Sequence, residues 1–233
     1  MIARPPAVSV IVLNYNGRRW LDRCLSALRG QKGADLEAIV IDNCSSDGSA
    51  GFVRQQHPWA SVLALDSNRG FAGGNNAGAT MARGRYLAFL NNDTEADSCW
   101  VASLVAALDA DPNAGLAASR IVFLDDGVTV DSAGDGYLRA GGAFKRGHGQ
   151  PDRAFLEPRE VFGACGAAFM IRRSVFEQIG GFDEDFFIVY EDVDLSYRAQ
   201  LAGHRCLYVP GAMVRHAMSA TLGRGSRLSA FYG

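Results

Sequence analysis

The chain has 233 residues, 48% of them hydrophobic, and a formal net charge of −2. That is enough apolar material for the core of one globular domain or two fused halves. It offers no basic excess for nucleic acid as the main partner. The longest apolar stretches, such as Trp100 to Leu108, are too short to span a bilayer. A strand-like run already begins at Val8, leaving no room for a signal peptide. Five dispersed cysteines (Cys24, Cys44, Cys99, Cys165, Cys206) without a Cys-x-x-Cys pair read as reduced thiols of a cytosolic protein.

Val8 to Leu13 is an apolar run of the kind buried on both faces of a sheet, and it ends in Asn14-Tyr15-Asn16-Gly17. Trp20, Leu21, Cys24, Leu25 and Leu28 then share one helical face, with Gly30 as the stop. Leu36 to Ile41 predicts a second strand running into Asp42-Asn43 and a loop rich in capping and turn residues. A helix over about Ser49 to Gln56 stops before Pro58, and Val62 to Leu65 predicts a third strand. The glycine-dense segment Asn68 to Gly78 reads as a loop whose amides approach a ligand closely, although its spacing is not a dinucleotide fingerprint. A helix through Met81 leads to the strand Tyr86 to Leu90, which stops in Asn91-Asn92-Asp93. This alternation of strands and helices builds a parallel sheet, with three polar strand ends along the edge where such sheets bind ligands.

From Asp97 the pattern changes. Trp100, Val101, Leu104, Val105 and Leu108 predict a helix ending before Asp111-Pro112, and Leu116 to Leu124 a strand. Asp125 to Arg159, with Arg139, Lys145, Arg146, His148 and Arg153, reads as a solvated surface loop, with a binding function as the alternative. Phe162 to Ile171 is apolar but rich in small residues, and Ser174 to Glu177 has capping-box spacing before Gly180-Gly181. A helix from near Glu191 to Ala202 would carry Glu191, Asp192 and Asp194 in its first turn, where negative charge stabilises the helix end. Aromatic residues just before Glu191 would bury that turn in part and tune a carboxylate for proton transfer. Cys206 to Val209 predicts a strand and Pro210-Gly211 a turn, and Ala212 to Val214 leads to His216, a residue that matters if the fold brings it beside Asp93.

Together these segments resemble the family-2 inverting glycosyltransferases of the GT-A fold, especially those similar to bacterial rhamnosyltransferases. The resemblance runs from about Val8 to Thr221 and rests on the order and spacing of several motifs. They are Val-Ser-Val-Ile-Val-Leu-Asn-Tyr-Asn at the start, Val-Ile-Asp-Asn-Cys-Ser-Ser-Asp-Gly-Ser around Asp42, and Asn-Arg-Gly-Phe-Ala-Gly-Gly-Asn-Asn from Asn68. Leu-Asn-Asn-Asp to Asp93, Gly-Gly-Phe-Asp to Asp183, Tyr-Glu-Asp-Val-Asp-Leu from Tyr190 and His216 complete the set. It implies one α/β domain over residues 1–233, with a mostly parallel, Rossmann-like sheet flanked by helices. About 1–95 would be its nucleotide-sugar-binding half, abutting a smaller acceptor-binding half at about 96–233. A further segment after Gly233, contacting acceptor or membrane, is also implied.

The roles implied by the resemblance are as follows. Asn14 and Tyr15 would line the nucleotide pocket, Asp42, with Asn43 beside it, would bind the base, and Gly70 and Asn75 would lie in the segment approaching the nucleotide. Asn91-Asn92-Asp93 matches an Asp-x-Asp metal motif with asparagine first, leaving Asp93 as the carboxylate ligand of Mg²⁺ or Mn²⁺, with His216 completing the site. Asp192 matches the catalytic base, and Glu191 its neighbour contacting acceptor or backbone. The partners implied are a nucleotide-sugar, with a dTDP- or UDP-sugar favoured, and a saccharide or lipid-linked glycan acceptor, with no nucleic acid and with peripheral association at the inner face of the membrane. Arg224 and Arg227 are either a solvated tail or pyrophosphate contacts from a closing loop. Two alternatives stand beside this reading. One is a nucleotidyltransferase, although Asn14 to Arg19 supplies no convincing triphosphate loop; the other is a non-catalytic nucleotide-sugar or glycan-binding module.

Overall fold

In the computed structural model, which describes residues 5–217, strand β1 (Val8–Asn14) is buried along nearly its whole length because helices cover both faces of its sheet. Val8, Val10 and Val12 point into one core layer with Leu21, Leu25 and Leu28 of helix α1 (Arg18–Arg29), while Ile11 points into the opposite layer. Each fully buried leucine contributes ~1.5–3 kcal/mol relative to exposure. Gly17 at the start of α1 has no side chain to cap it, so Asp47 Oδ2 accepts Arg18 N–H at 2.9 Å there. Gln31 Nε2 donates to the Ala27 carbonyl at the other end, and the apolar face holds the helix to the sheet.

Strand β2 (Leu36–Asp42), helix α2 (Ser49–Gln56), strand β3 (Ser61–Ala64), helix α3 (Gly70–Met81) and strand β4 (Tyr86–Asn91) complete the parallel half, in the spatial order β3-β2-β1-β4. The glycine-dense segment differs from expectation: it is not a loop but helix α3 itself, starting at Gly70. Its glycines serve packing against the sheet. A Cβ on Gly78 would lie 2.6 Å from Ile11 Cγ2, and one on Gly74 would strike the Leu13 side chain. Gly70 has φ +67 and lets Phe71 N–H donate to the Phe187 carbonyl at 2.7 Å.

A contrast between two helical glycines tests this. Gly78→Val is expected to destabilise the fold by ~1–3 kcal/mol through overpacking. Gly51→Ala in α2, where a Cβ meets nothing within 4 Å, is expected to be neutral or stabilising by up to ~1 kcal/mol. Urea midpoints read the difference; equal midpoints for the two variants would rule out the packing argument.

Beyond β4 come β5 (Thr94–Ala96), helix α4 (Trp100–Ala110) and β6 (Ala114–Phe123). The stretch expected to be a solvated loop instead forms β7 (Val130–Ser132), a hairpin of β8 (Asp135–Tyr137) and β9 (Ala143–Lys145), a 3-10 turn at Asp152–Ala154, and β10 (Arg159–Val161). Arg139 and Arg153 are exposed, as a solvated loop requires. Lys145 instead pairs with buried Asp131, Arg146 lies over the rings of Phe155 and Tyr208, and the His148 ring meets the Asp131 carbonyl at 2.8 Å. Strand β11 (Ala168–Arg172), helix α5 (Arg173–Gln178), helix α6 (Glu191–Leu201) and strand β12 (Arg205–His216) complete the described residues. The capping box at Ser174 does not form: α5 begins one residue earlier, with no side-chain cap bond. Pro210-Gly211 makes a register shift within β12 rather than a turn between two strands.

The whole sheet runs β10-β12-β6-β11-β4-β1-β2-β3. Strand β11 is antiparallel to both β4 and β6, and β12 is parallel to β6, so β6 and β12 run in the same direction as the parallel half. Their carboxyl ends therefore share its edge. Residues from 218 onward, including Arg224 and Arg227, lie outside the described residues. Among the described residues, no helix is long and apolar enough to cross a membrane.

Candidate functional site

A cavity of about 450 Å³ opens at that carboxyl edge, within the ordinary range for small-ligand sites. Tyr15, Asn43, Gly70, Asn91, Asn92, Asp93, Glu191, Asp192 and His216, all singled out from the sequence, line it. Asn14, Asp42 and Asn75 do not. Asn14 Nδ2 donates to Asp42 Oδ1 and to Ser45 Oγ, each at 3.2 Å, and Asn14 Oδ1 accepts from Asn92 Nδ2 at 2.6 Å. This chain of buried amides ties the ends of β1, β2 and β4 together behind the wall. Asn75 is turned into helix α3, donating to the Phe71 carbonyl at 3.1 Å, because the segment is helical rather than a loop. Asn43 joins the end of β2 to the start of α3 by donating to Asn68 Oδ1 and the Gly70 carbonyl.

One corner of the cavity holds Asp93 and His216. Strand β5 pairs antiparallel with the end of β12, opposing Thr94 to His216, and Ala217 N–H donates to the Asp93 carbonyl at 3.0 Å. The His216 Nε2 lies 3.2 Å from Asp93 Oδ1, and its Nδ1 lies 2.8 Å from Asp131 Oδ2. Burial opposes a charge on this ring, but Asp131 and Asp93 push its pKa up to about 9. Burial likewise opposes ionisation of Asp131, yet His216 and Lys145 hold its carboxyl well below the usual range.

Among the described residues, no group of three or more His, Cys, Asp or Glu side chains could by itself hold a metal ion. The Asp93–His216 pair nevertheless fits a hard cation in part. Adjacent ligands at ~2.0–2.1 Å on an octahedral ion lie ~2.9 Å apart, close to the 3.2 Å found here. An ion with two protein ligands takes its other positions from water and substrate phosphates, as Mg²⁺ commonly does.

A second group lining the same cavity is carboxylate-rich. Val189 (φ +76) and Tyr190 (φ +70) are consecutive non-glycine residues in the left-handed region, and they turn the chain sharply into α6. Glu191 and Asp192 follow at once. Asp192 Oδ2 accepts Gly166 N–H at 2.6 Å, and its Oδ1 accepts Val193 N–H at 2.9 Å. Burial still leaves the Asp192 carboxyl above its usual range. Glu191 is only 5% exposed, and its Oε2 has no hydrogen-bond partner among the described residues. Burial, reinforced by Asp192, pushes its pKa up to about 8. Asp135, on the same wall, rises to about 7 through burial and the nearby Asp192. Sequence reasoning missed Asp131, Asp135, Lys145 and Gly166, which lie in three-residue strands or among small residues with no periodic signal.

The Glu191 shift has a sign that can be tested. A carboxyl whose folded pKa lies above its unfolded value costs the fold nothing at pH below about 4.5. It erodes stability as pH rises from there to about 8. Glu191→Gln should therefore gain little in melting temperature at pH 5 and progressively more towards pH 8.5. A gain that does not change with pH would show that the carboxyl titrates normally.

Comparison with known proteins assigns the class. The solved structure of GalNAc-T7 with UDP, GalNAc and Mn²⁺ superposes with a TM-score of 0.74 at 20% identity, over 91% of this chain and 44% of that one. A mannosyltransferase from Pyrobaculum calidifontis, in complex with GDP-Man and Mn²⁺, superposes at 0.68 and 21% identity over 97% of this chain and 60% of that one. The fold is thus the GT-A α/β fold of glycosyltransferases. Residues 9–180 match the family model Glycosyl transferase family 2, and the chain belongs to that family of enzymes. The N-acetylglucosaminyl-diphospho-decaprenol L-rhamnosyltransferase of Mycobacterium tuberculosis is 30% identical over 92% of this chain and 77% of its own length. The pre-mycofactocin glycosyltransferase of the same organism is 32% identical over 99% of this chain but only 48% of its own length.

Proposed function

We propose that this chain transfers a sugar from a nucleotide-sugar to a saccharide or lipid-linked glycan acceptor, by direct displacement with inversion. The observation that carries this reading is one cavity lined both by a cation-compatible pair, Asp93 and His216, and by the buried Glu191–Asp192 pair. Asp93 and His216 are assigned to Mg²⁺ or Mn²⁺, which would neutralise the charge developing on the departing diphosphate. Asp192 is assigned as general base: a carboxylate whose affinity for protons is raised takes the proton of the attacking hydroxyl more readily. The unpartnered Glu191 Oε2 is free to accept a hydrogen bond from a sugar hydroxyl. Tyr15, Asn43 and Gly70 are assigned to the donor side of the cavity, and the elements from α4 onward to the acceptor half.

A uridine or thymidine diphosphate is the favoured donor class. The Asp42 carboxylate at the end of β2 accepts from Asn14 and from Ser45 N–H. That carboxylate stands behind the cavity wall, so the preference draws its support from the match of the Val-Ile-Asp-Asn segment to the family's base-binding motif and not from an open contact in the cavity. The lipid-linked acceptor, and with it peripheral contact with a membrane, draws support from the rhamnosyltransferase relative, whose name carries a diphospho-decaprenol.

A thermal-shift panel of nucleoside diphosphates, each with and without Mn²⁺, tests the donor side. A ligand at 100 times its Kd stabilises by ~2.7 kcal/mol, or several degrees for a domain of this size. UDP or dTDP with Mn²⁺ is expected to give the largest shift. A larger shift with ADP would overturn the base preference, while a shift without release of nucleoside diphosphate from any donor would indicate a binding module.

A further inference from the structure

The Asp93–His216 corner has a third member that no role yet accounts for. Asp131 is fully buried on β7, where the pairing with β6 slips register between Ile121 and Val122. Each of its carboxylate oxygens meets one cationic partner: Oδ2 the His216 Nδ1 at 2.8 Å, and Oδ1 the Lys145 Nζ at 2.9 Å. A carboxylate in such a place carries several kcal/mol of desolvation cost, and well-packed apolar residues of similar volume usually hold a fold as well or better. The cost is therefore borne for something other than filling space.

The backbone already fixes where His216 sits. Its carbonyl accepts Leu124 N–H at 2.8 Å, and Ala217 N–H donates to the Asp93 carbonyl. Nothing in that pairing sets the rotation of the ring or which nitrogen carries the proton. Asp131 does. A carboxylate that already faces the Lys145 ammonium can only accept, so His216 Nδ1 must donate to it. Without a cation Nε2 also carries a proton and faces Asp93 Oδ1 at 3.2 Å. A cation bound there takes the place of that proton and meets the Nε2 lone pair, while Nδ1 keeps its hydrogen bond to Asp131.

We infer that Asp131 is the positioning residue of this corner: its carboxylate orients the His216 ring so that Nε2 is presented beside Asp93 for the cation, and Lys145 holds that carboxylate in place. The inference rests on reading Asp93 and His216 as the cation site. It also gives the β8–β9 hairpin a task, since Lys145 ends β9 and lines the same cavity. The groups facing Asp131 are His216, Lys145 and His148, with Asp135 nearby.

The test is calorimetric titration of Mn²⁺ into the protein with UDP present. Asp131→Asn alone strands the Lys145 charge, so the variant to use is Asp131→Asn combined with Lys145→Met, which removes both charges. It is expected to fold, to bind UDP without metal as the parent does, and to bind Mn²⁺ ~10–100-fold more weakly, the usual effect of losing an outer-sphere partner. His216→Ala serves as the comparison. If His216→Ala loses Mn²⁺ affinity while the folded double variant keeps it, Asp131 has no positioning role and the cation site stands. If both keep wild-type affinity, His216 is not a ligand of the cation and the inference falls with it, whereas the cation site as a whole is tested by Asp93→Ala. A second measurement needs no variant: nitrogen-15 spectra of the His216 ring in the parent protein with Mg²⁺ and UDP. Proton-bearing Nδ1 and ligated Nε2 are expected; the opposite tautomer would overturn the inference.

Discussion

Asp192→Asn is expected to lower the rate of sugar transfer by ~10²–10⁴-fold or more, the range of general-base contributions. The substitution keeps the shape of the side chain. An amide oxygen can still accept Gly166 N–H, as the carboxylate does at 2.6 Å. Asparagine also serves at helix starts about as well as aspartate, so α6 should persist by circular dichroism. The affinities for nucleoside diphosphate and for Mn²⁺ should barely change, because the donor and the cation are assigned to Tyr15, Asn43, Gly70, Asp93 and His216 and not to Asp192. A folded variant that transfers at close to the parent rate would reduce Asp192 to a structural residue. Glu191, buried beside it with a raised pKa, would then be the next candidate base.

Asp93→Ala is expected to abolish the Mn²⁺-dependent part of nucleoside diphosphate binding while leaving the protein folded. The Asp93 side chain is 6% exposed, and the His216 ring lies 3.2 Å from it. Its backbone carbonyl, which anchors Ala217, is untouched by the change. Loss of the carboxylate removes the only negative protein ligand assigned to the cation, whereas loss of His216 can be replaced by water in an octahedral shell. His216→Ala should therefore weaken the metal effect less than Asp93→Ala. Unchanged metal-dependent calorimetry in Asp93→Ala would remove this residue from the site.

The parallel half was legible in the sequence because three of its strands, β1, β2 and β4, are largely apolar runs of six or seven residues that stop at polar ends. Those polar ends face one edge, as a parallel sheet requires. Glycine density was misleading. Helix α3 takes its glycines for close packing on Ile11 and Leu13, a tertiary demand that overrides their poor helix propensity. Between Asp125 and Arg159 the strands have three residues each, too few for any alternation to show. A buried Asp131 or Lys145 there looks like any solvated charge until the partner strand is in place. Tyr190 illustrates a further limit: the left-handed pair that turns the chain into α6 carries no glycine to announce it.

The pairing of Asp93 with His216 also sets when the site can exist. The two residues lie far apart in sequence, one just after β4 and the other closing β12, the last strand among the described residues. Strands β1 to β4 can associate soon after synthesis, yet the corner stays unmade until β12 has docked between β6 and β10 and met β5. Contacts this distant in sequence form slowly, because a long loop must close before they give any return. A ligand held by both residues thus reports on the whole sheet, and its stabilisation is felt by every strand at once. Proteolysis protection by such a ligand should extend to the first strand and the last together, rather than to the donor half alone.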